Sequence, residues 1–145
     1  MYRLKDKATN LDILKKVFKN NKNIIIPSYF YFSVRSLMRD ENKIFKKIFL
    51  FNKNNSLIIR SSSIDEDKSN LSNAGKYDSK IIKKNASLNE ITKIFKSFLK
   101  QFKSQNDKII IQQMISGVNY SGVIFTQDIN YNSPYYVINY DNSGK

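Results

Sequence analysis

The apolar run Leu57-Ile58-Ile59 ends in Arg60-Ser61-Ser62-Ser63, and this junction constrains the fold more than any other stretch of the chain. The run is too short for a helix face and reads as a short buried strand over residues 57–60. It delivers an arginine into a polar segment that carries Asp65, Glu66 and Asp67 and then Ala74-Gly75-Lys76-Tyr77-Asp78-Ser79. Arginine presents a rigid fork of donors that suits phosphate. Serine hydroxyls and the backbone of a glycine-containing loop add neutral donors. A strand that simply runs into a solvated loop, with the arginine in a surface ion pair, has the same composition.

The rest of the chain alternates helical and extended patterns. Leu11, Leu14, Val17 and Phe18 recur at helical spacing and predict a helix over about 10–20. Residues 23–26 read as a buried strand stopped by Pro27. Tyr29 to Val34 is strand or the lead into a helix, and 37–49 has a helical period. The polar stretch 61–73 reads as a loop long enough to suggest function, and 77–82 as a second strand. Ser87-Leu88-Asn89-Glu90 is a capping box that opens a helix with Ile91, Ile94, Phe95, Phe98, Leu99 and Phe102 on one side, a core face. Strands are expected over 108–115, 119–126 and 135–140, with a turn at Asn130-Tyr131-Asn132-Ser133-Pro134 between the last two. Helices mixed with strands that end in antiparallel β predict an α+β or mixed α/β architecture.

Composition removes several chemistries. The 145 residues contain neither cysteine nor histidine, so disulfides, thiol catalysis and histidine bases or metal ligands have no place in this chain. No apolar run approaches a membrane span, and the first residues lack a signal peptide's apolar stretch, which predicts a cytoplasmic protein. The net charge of +13 is compatible with nucleic acid, an anionic membrane surface or an anionic ligand. The lysines are dispersed, however: Lys15, Lys16, Lys19 and Lys22, then Lys43, Lys46 and Lys47, then Lys93, Lys96, Lys100 and Lys103 fall mostly on the polar faces of expected helices. Their abundance alongside asparagine and isoleucine fits a biased coding composition better than a nucleic-acid surface.

Three groups of residues, in order, resemble one known family. Lys7-Ala8-Thr9-Asn10-Leu11 with Ile26-Pro27-Ser28-Tyr29-Phe30 resembles its opening "GGKAxNL…VPxGF". Ile59-Arg60-Ser61-Ser62-Ser63 through Ala74-Gly75-Lys76-Tyr77-Asp78-Ser79 resembles "VRSS…ED…AG-x-y-x-S". Ile111-Gln112-Gln113-Met114 with Ser121-Gly122-Val123-Ile124-Phe125-Thr126 resembles "vQxM…SGVxFT". The family is the nucleotide-binding domain that begins pyruvate phosphate dikinase, phosphoenolpyruvate synthase and rifampicin phosphotransferase. The resemblance implies an ATP-grasp-like domain with mixed or antiparallel sheets flanked by helices, incomplete here. Residues 1–80 would form part of a first subdomain and 81–145 part of a second.

The same resemblance implies site residues. Lys7 and Arg60 match positions that bind nucleotide phosphate, although Lys5 and Asp6 stand where the family has two glycines. Gly75 and Ser79 match the loop that approaches the nucleotide; a glycine permits close backbone approach and a hydroxyl can donate to a phosphate oxygen. Gln112 matches a glutamine near the adenine, where its amide can donate and accept; Gln113 is the rival if the strand register shifts by one. Ser121-Gly122 and Phe125-Thr126 look structural. No catalytic residue is assigned. Asp65, Glu66 and Asp67 are metal ligands or a solvated loop, and the second reading is preferred because hard cations need several converging oxygens. Asp128 and Asp141 stay open in the same way.

In this family ATP phosphorylates a histidine on another domain, which then phosphorylates a small acceptor: pyruvate, an antibiotic hydroxyl or, in capsule-synthesis relatives, glutamine. The Mg²⁺-binding glutamate, a Gln-x-Arg pair, the phosphohistidine domain and the acceptor domain would all lie beyond Lys145. The expected function is therefore the ATP-binding part of a dikinase-like phosphotransferase, inactive by itself, with ATP and Mg²⁺ as cofactors. The alternative is a noncatalytic basic module that binds a partner protein or nucleic acid.

Overall fold

Alternate residues of the central strands face opposite ways, and both faces of the sheet are used. In the structure, a computed structural model, residues 6–62, 79–128, 131 and 133–142 are described. They form two compact units, 1–114 and 115–145. The first contains helix α1 (Lys7–Val17), strand β1 (Tyr29–Ser33), helices α2 (Val34–Arg39) and α3 (Glu41–Asn52), strands β2 (Leu57–Ser62) and β3 (Lys80–Ile82), helix α4 (Leu88–Leu99) and strand β4 (Lys108–Gln113). The four strands form one antiparallel sheet in the order β1-β4-β2-β3. Residue 80, the expected division between two subdomain portions, opens a strand of this same sheet.

One face of the sheet carries Phe30, Phe32, Leu57, Ile59, Ile109 and Ile111 into a core with Phe45 and Ile48 of α3 and Ile91, Phe95 and Phe98 of α4. Leu57, Ile59, Ile109 and Ile111 are wholly buried, each worth about 1.5–3 kcal/mol relative to exposure. Helix α4 starts where its sequence says it should. Ser87 Oγ accepts from the Glu90 amide at 3.3 Å, and Glu90 accepts from the Ser87 amide at 2.7 Å. Its stripe of Ile91, Phe95 and Phe98 is buried, with Ile94, Leu99 and Phe102 packed at the margin.

Two expectations fail for nonlocal reasons. Residues 23–26 form no strand, and Ile25 is 83% exposed. The β1–β4 register pairs Tyr29 with Gln112, so this segment lies beyond the end of β4 and pairs with no strand among the described residues. The helical pattern over 37–49 is two helices broken at Asp40, whose backbone leaves the helical region. That turn lets Leu37 of α2 and Phe45 and Ile48 of α3 enter one core. Helix α1 starts three residues earlier than its apolar spacing suggests, because Asp6 caps it.

The second unit contains strands β5 (Ser121–Phe125) and β6 (Val137–Asp141), paired antiparallel. Tyr120, Val123, Ile124, Tyr135, Tyr136, Ile138 and Tyr140 are exposed on it. Residues 109–144 contain no lysine or arginine at all, so the basic charge of the chain belongs to the sheet-and-helix unit. The turn between β5 and β6 closes with the Asp128 amide donating to Ser133 O at 2.9 Å and the Tyr131 amide to Asp128 Oδ1 at 2.8 Å. Gly122 is required for strand approach, since a Cβ there would run into the carbonyl oxygen of Asn139. The helices and antiparallel sheets together make an α+β chain.

Candidate functional site

The sheet face opposite the core carries most of the polar chemistry. On it stand Ile58, Arg60 and Ser62 of β2, Lys108, Ile110 and Gln112 of β4, and Tyr29, Tyr31 and Ser33 of β1. Arg60 pairs with Ile110, so Lys108 and Gln112 are its two diagonal neighbours across β4. Such diagonals lie about 7–8 Å apart, within reach of long side chains. Arg60 is exposed, and no described residue forms an ion pair with it. Gln112 is only 8% exposed, and among the described residues nothing hydrogen-bonds its side-chain amide. A buried amide without a partner is costly and commonly marks a ligand or water position. Gln113 belongs to the other face and donates to Asn55 Oδ1 at 2.8 Å.

Helix α1 lies over this face and is tied to it by hydrogen bonds. Tyr29 and Tyr31 each donate a phenol proton to the Asp12 carboxylate at 2.7 Å. Burial first, and then Asp12, raise the Tyr29 phenol well above its usual range, while the hydrogen bond to Asp12 dominates at Tyr31. The Tyr29 hydrogen bond is in turn the main influence lowering Asp12, against some opposition from burial. The start of the helix is pinned more firmly. The Ala8 amide donates to Ser62 Oγ at 3.0 Å. Asp6 accepts from the Thr9 amide at 3.1 Å, from Thr9 Oγ1 at 2.8 Å, from Ser62 Oγ at 3.1 Å and from Lys108 Nζ at 3.0 Å. Burial opposes ionisation of Asp6, but the Thr9 and Lys108 contacts outweigh it and hold its carboxyl down to about 2.

These contacts locate the residues singled out from the sequence. Lys7 is the first residue of α1, next to the Ala8 amide that bonds Ser62, two positions along β2 from Arg60. Ser79 precedes β3, where the β2–β3 register extended by one residue leads to Arg60. Arg60, Ser79 and Gln112 therefore fall at neighbouring positions of the sheet, and Lys7 begins the helix whose start is tied to Ser62 and Lys108. Gly75, Ser63 and the trio Asp65, Glu66 and Asp67 lie outside the described residues. Among the described residues no group of three or more carboxylates converges as a metal site. No helix among them is long and apolar enough to cross a membrane.

Asp6 and Lys108 were not identified from the sequence. Their contacts span 102 residues, and no local pattern announces such a pair. The one available signal was the replacement of a family glycine by Asp6, a good N-cap residue just before a helical period.

Against known proteins, the sequence model described as pyruvate phosphate dikinase, AMP/ATP-binding domain, matches residues 2–141. No curated protein and no solved structure matches the chain. With the match running through both units of the chain, from α1 to β6, the protein belongs to the family of pyruvate phosphate dikinase AMP/ATP-binding domains.

Proposed function

We propose that the face bearing Arg60 and Gln112 holds ATP, and that the chain serves as the ATP-binding part of a dikinase-like phosphotransferase. Arg60 takes phosphate oxygens with its guanidinium fork, and Lys7 adds a point positive charge from the start of α1. Ser79 donates a hydroxyl beside Arg60, and Gly75 lets the loop backbone approach the nucleotide. Gln112 offers its amide to the adenine edge. The observation that carries this reading is the pairing of an exposed guanidinium with a buried glutamine amide, neither with a partner among the described residues, as diagonal neighbours on one sheet face.

In the larger reaction, ATP phosphorylates a histidine on another domain, and that histidine phosphorylates a small acceptor such as pyruvate or glutamine. This chain contains no histidine, so its own part is to bind and orient the nucleotide. Mg²⁺ would shield the phosphates from one another. A cytoplasmic setting suits such a reaction.

Titration with ATP in the presence of Mg²⁺ tests the reading. Arg60→Ala is expected to weaken ATP binding at least tenfold while leaving the fold intact, because the side chain is exposed. ATP should also bind more tightly than tripolyphosphate. A basic module for nucleic acid or an acidic partner would behave differently: ATP and tripolyphosphate would bind alike, Arg60→Ala would matter little, and affinity for nucleic acid would fall steeply with salt.

A further inference from the structure

Asp6 does more than cap a helix. A cap needs one hydrogen bond from the first turn, which the Thr9 amide supplies at 3.1 Å. Asp6 receives three further donors, from Thr9 Oγ1, Ser62 Oγ and Lys108 Nζ, so each carboxylate oxygen accepts two hydrogen bonds. The donors come from three elements: α1, β2 and β4. Their types are an amide at a helix N-terminus, two hydroxyls and an ammonium. That set suits a tetrahedral oxyanion as well as a carboxylate. The residue is only 8% exposed.

We propose that Asp6 is an internal occupant of a phosphate-type anion site, and that it keeps external phosphate out of the space between α1, Ser62 and Lys108. Lys108 is a cation diagonal to Arg60, but Asp6 neutralises it at 3.0 Å. An incoming phosphate therefore meets a net cation at Arg60 and a filled, neutralised pair one diagonal step away. Resting on the proposed nucleotide site for its setting, the inference adds a specificity element: Asp6 restricts polyphosphate to the Arg60 side of the face.

The test empties the site without removing the cap. Asp6→Ser keeps a strong N-cap residue, removes the charge and leaves room for an anion; Asp6→Gly leaves more room. The probe is inorganic phosphate, with chloride at matched ionic strength as control, read as a shift in thermal midpoint and as direct binding by calorimetry. Phosphate is expected to stabilise Asp6→Ser at concentrations at least tenfold below those that affect the wild type. Adding Lys108→Ala to Asp6→Ser should abolish the effect. A variant that unfolds without phosphate and regains its fold with it supports the proposal, and one that phosphate fails to restore overturns it. Equal responses of wild type and Asp6→Ser, a chloride effect as large as that of phosphate, or indifference to Lys108→Ala would also overturn it. ATP plays no part in this assay, so loss of the proposed nucleotide site would show separately in the wild-type and Arg60→Ala titrations.

Discussion

Replacing Asp6 by asparagine removes one charge while keeping the shape of the side chain and its ability to cap α1. The structure states what that costs. Two donors face each carboxylate oxygen: the Thr9 amide and Ser62 Oγ at one, Thr9 Oγ1 and Lys108 Nζ at the other. Whichever way the asparagine amide turns, its NH₂ group meets two of them. The fall of the Asp6 carboxyl from 3.8 to about 2 corresponds to roughly 2 kcal/mol, at about 1.4 kcal/mol per unit. The side chain is 7% exposed, so solvent screens little of this. Loss of the charge together with the misfacing amide predicts a destabilisation of about 2–3 kcal/mol at pH 7.

The pH dependence separates charge from packing. The folded value lies below the unfolded one, so the Asp6 contribution is fully present above about pH 4–5 and is lost as the pH falls through 3.8 toward 2. About half of it is gone near pH 3. Urea unfolding of wild type and Asp6→Asn between pH 7 and pH 2.5 gives the difference directly. Charge repulsion from the other ionising groups largely cancels in that comparison. The gap between the two proteins should narrow steadily below pH 4. Equal stability at pH 7, or a gap that stays constant down to pH 2.5, would refute the reasoning.

Two other substitutions probe structure that takes no part in this cluster. Asn52 is wholly buried and donates to Asn55 O and Lys83 O while accepting from the Ala86 amide at 2.8 Å; Asn52→Ala removes all three bonds, leaves the Ala86 amide only its 3.2 Å bond to Lys83 O, and should cost about 2–3 kcal/mol in urea unfolding, with a loss under 1 kcal/mol contradicting the assigned bonds. Gly122→Ala puts a Cβ against Asn139 O and 3.0 Å from Tyr140 Cα; the β5–β6 amides should lose hydrogen-exchange protection while those of β4 keep theirs, and unchanged protection at Val123 and Ile138 would contradict the pairing.

Legibility from sequence followed the range of each interaction. The capping box at Ser87 and Glu90, the apolar stripe of α4 and the strand leading to Arg60 depend on neighbours within a few residues, so periodicity and cap chemistry reveal them. The three ordered motifs pointed to the family that the match over residues 2–141 then established. The strand read at 23–26 failed because pairing depends on where β4 ends, 90 residues away. The choice between Gln112 and Gln113 likewise waited on register, since a one-residue step reverses the face.

The sequence by itself determined which segments can be helix or strand, which chemistries a chain without histidine or cysteine lacks, and which family its ordered motifs indicate. Only the tertiary structure decided that Arg60, Lys108 and Gln112 share a face and that Asp6 joins α1, β2 and β4. The physical reason is that local patterns are fixed by backbone geometry over a few residues. An ion pair spanning 102 residues exists only after a sheet has set its register and a helix has docked across it.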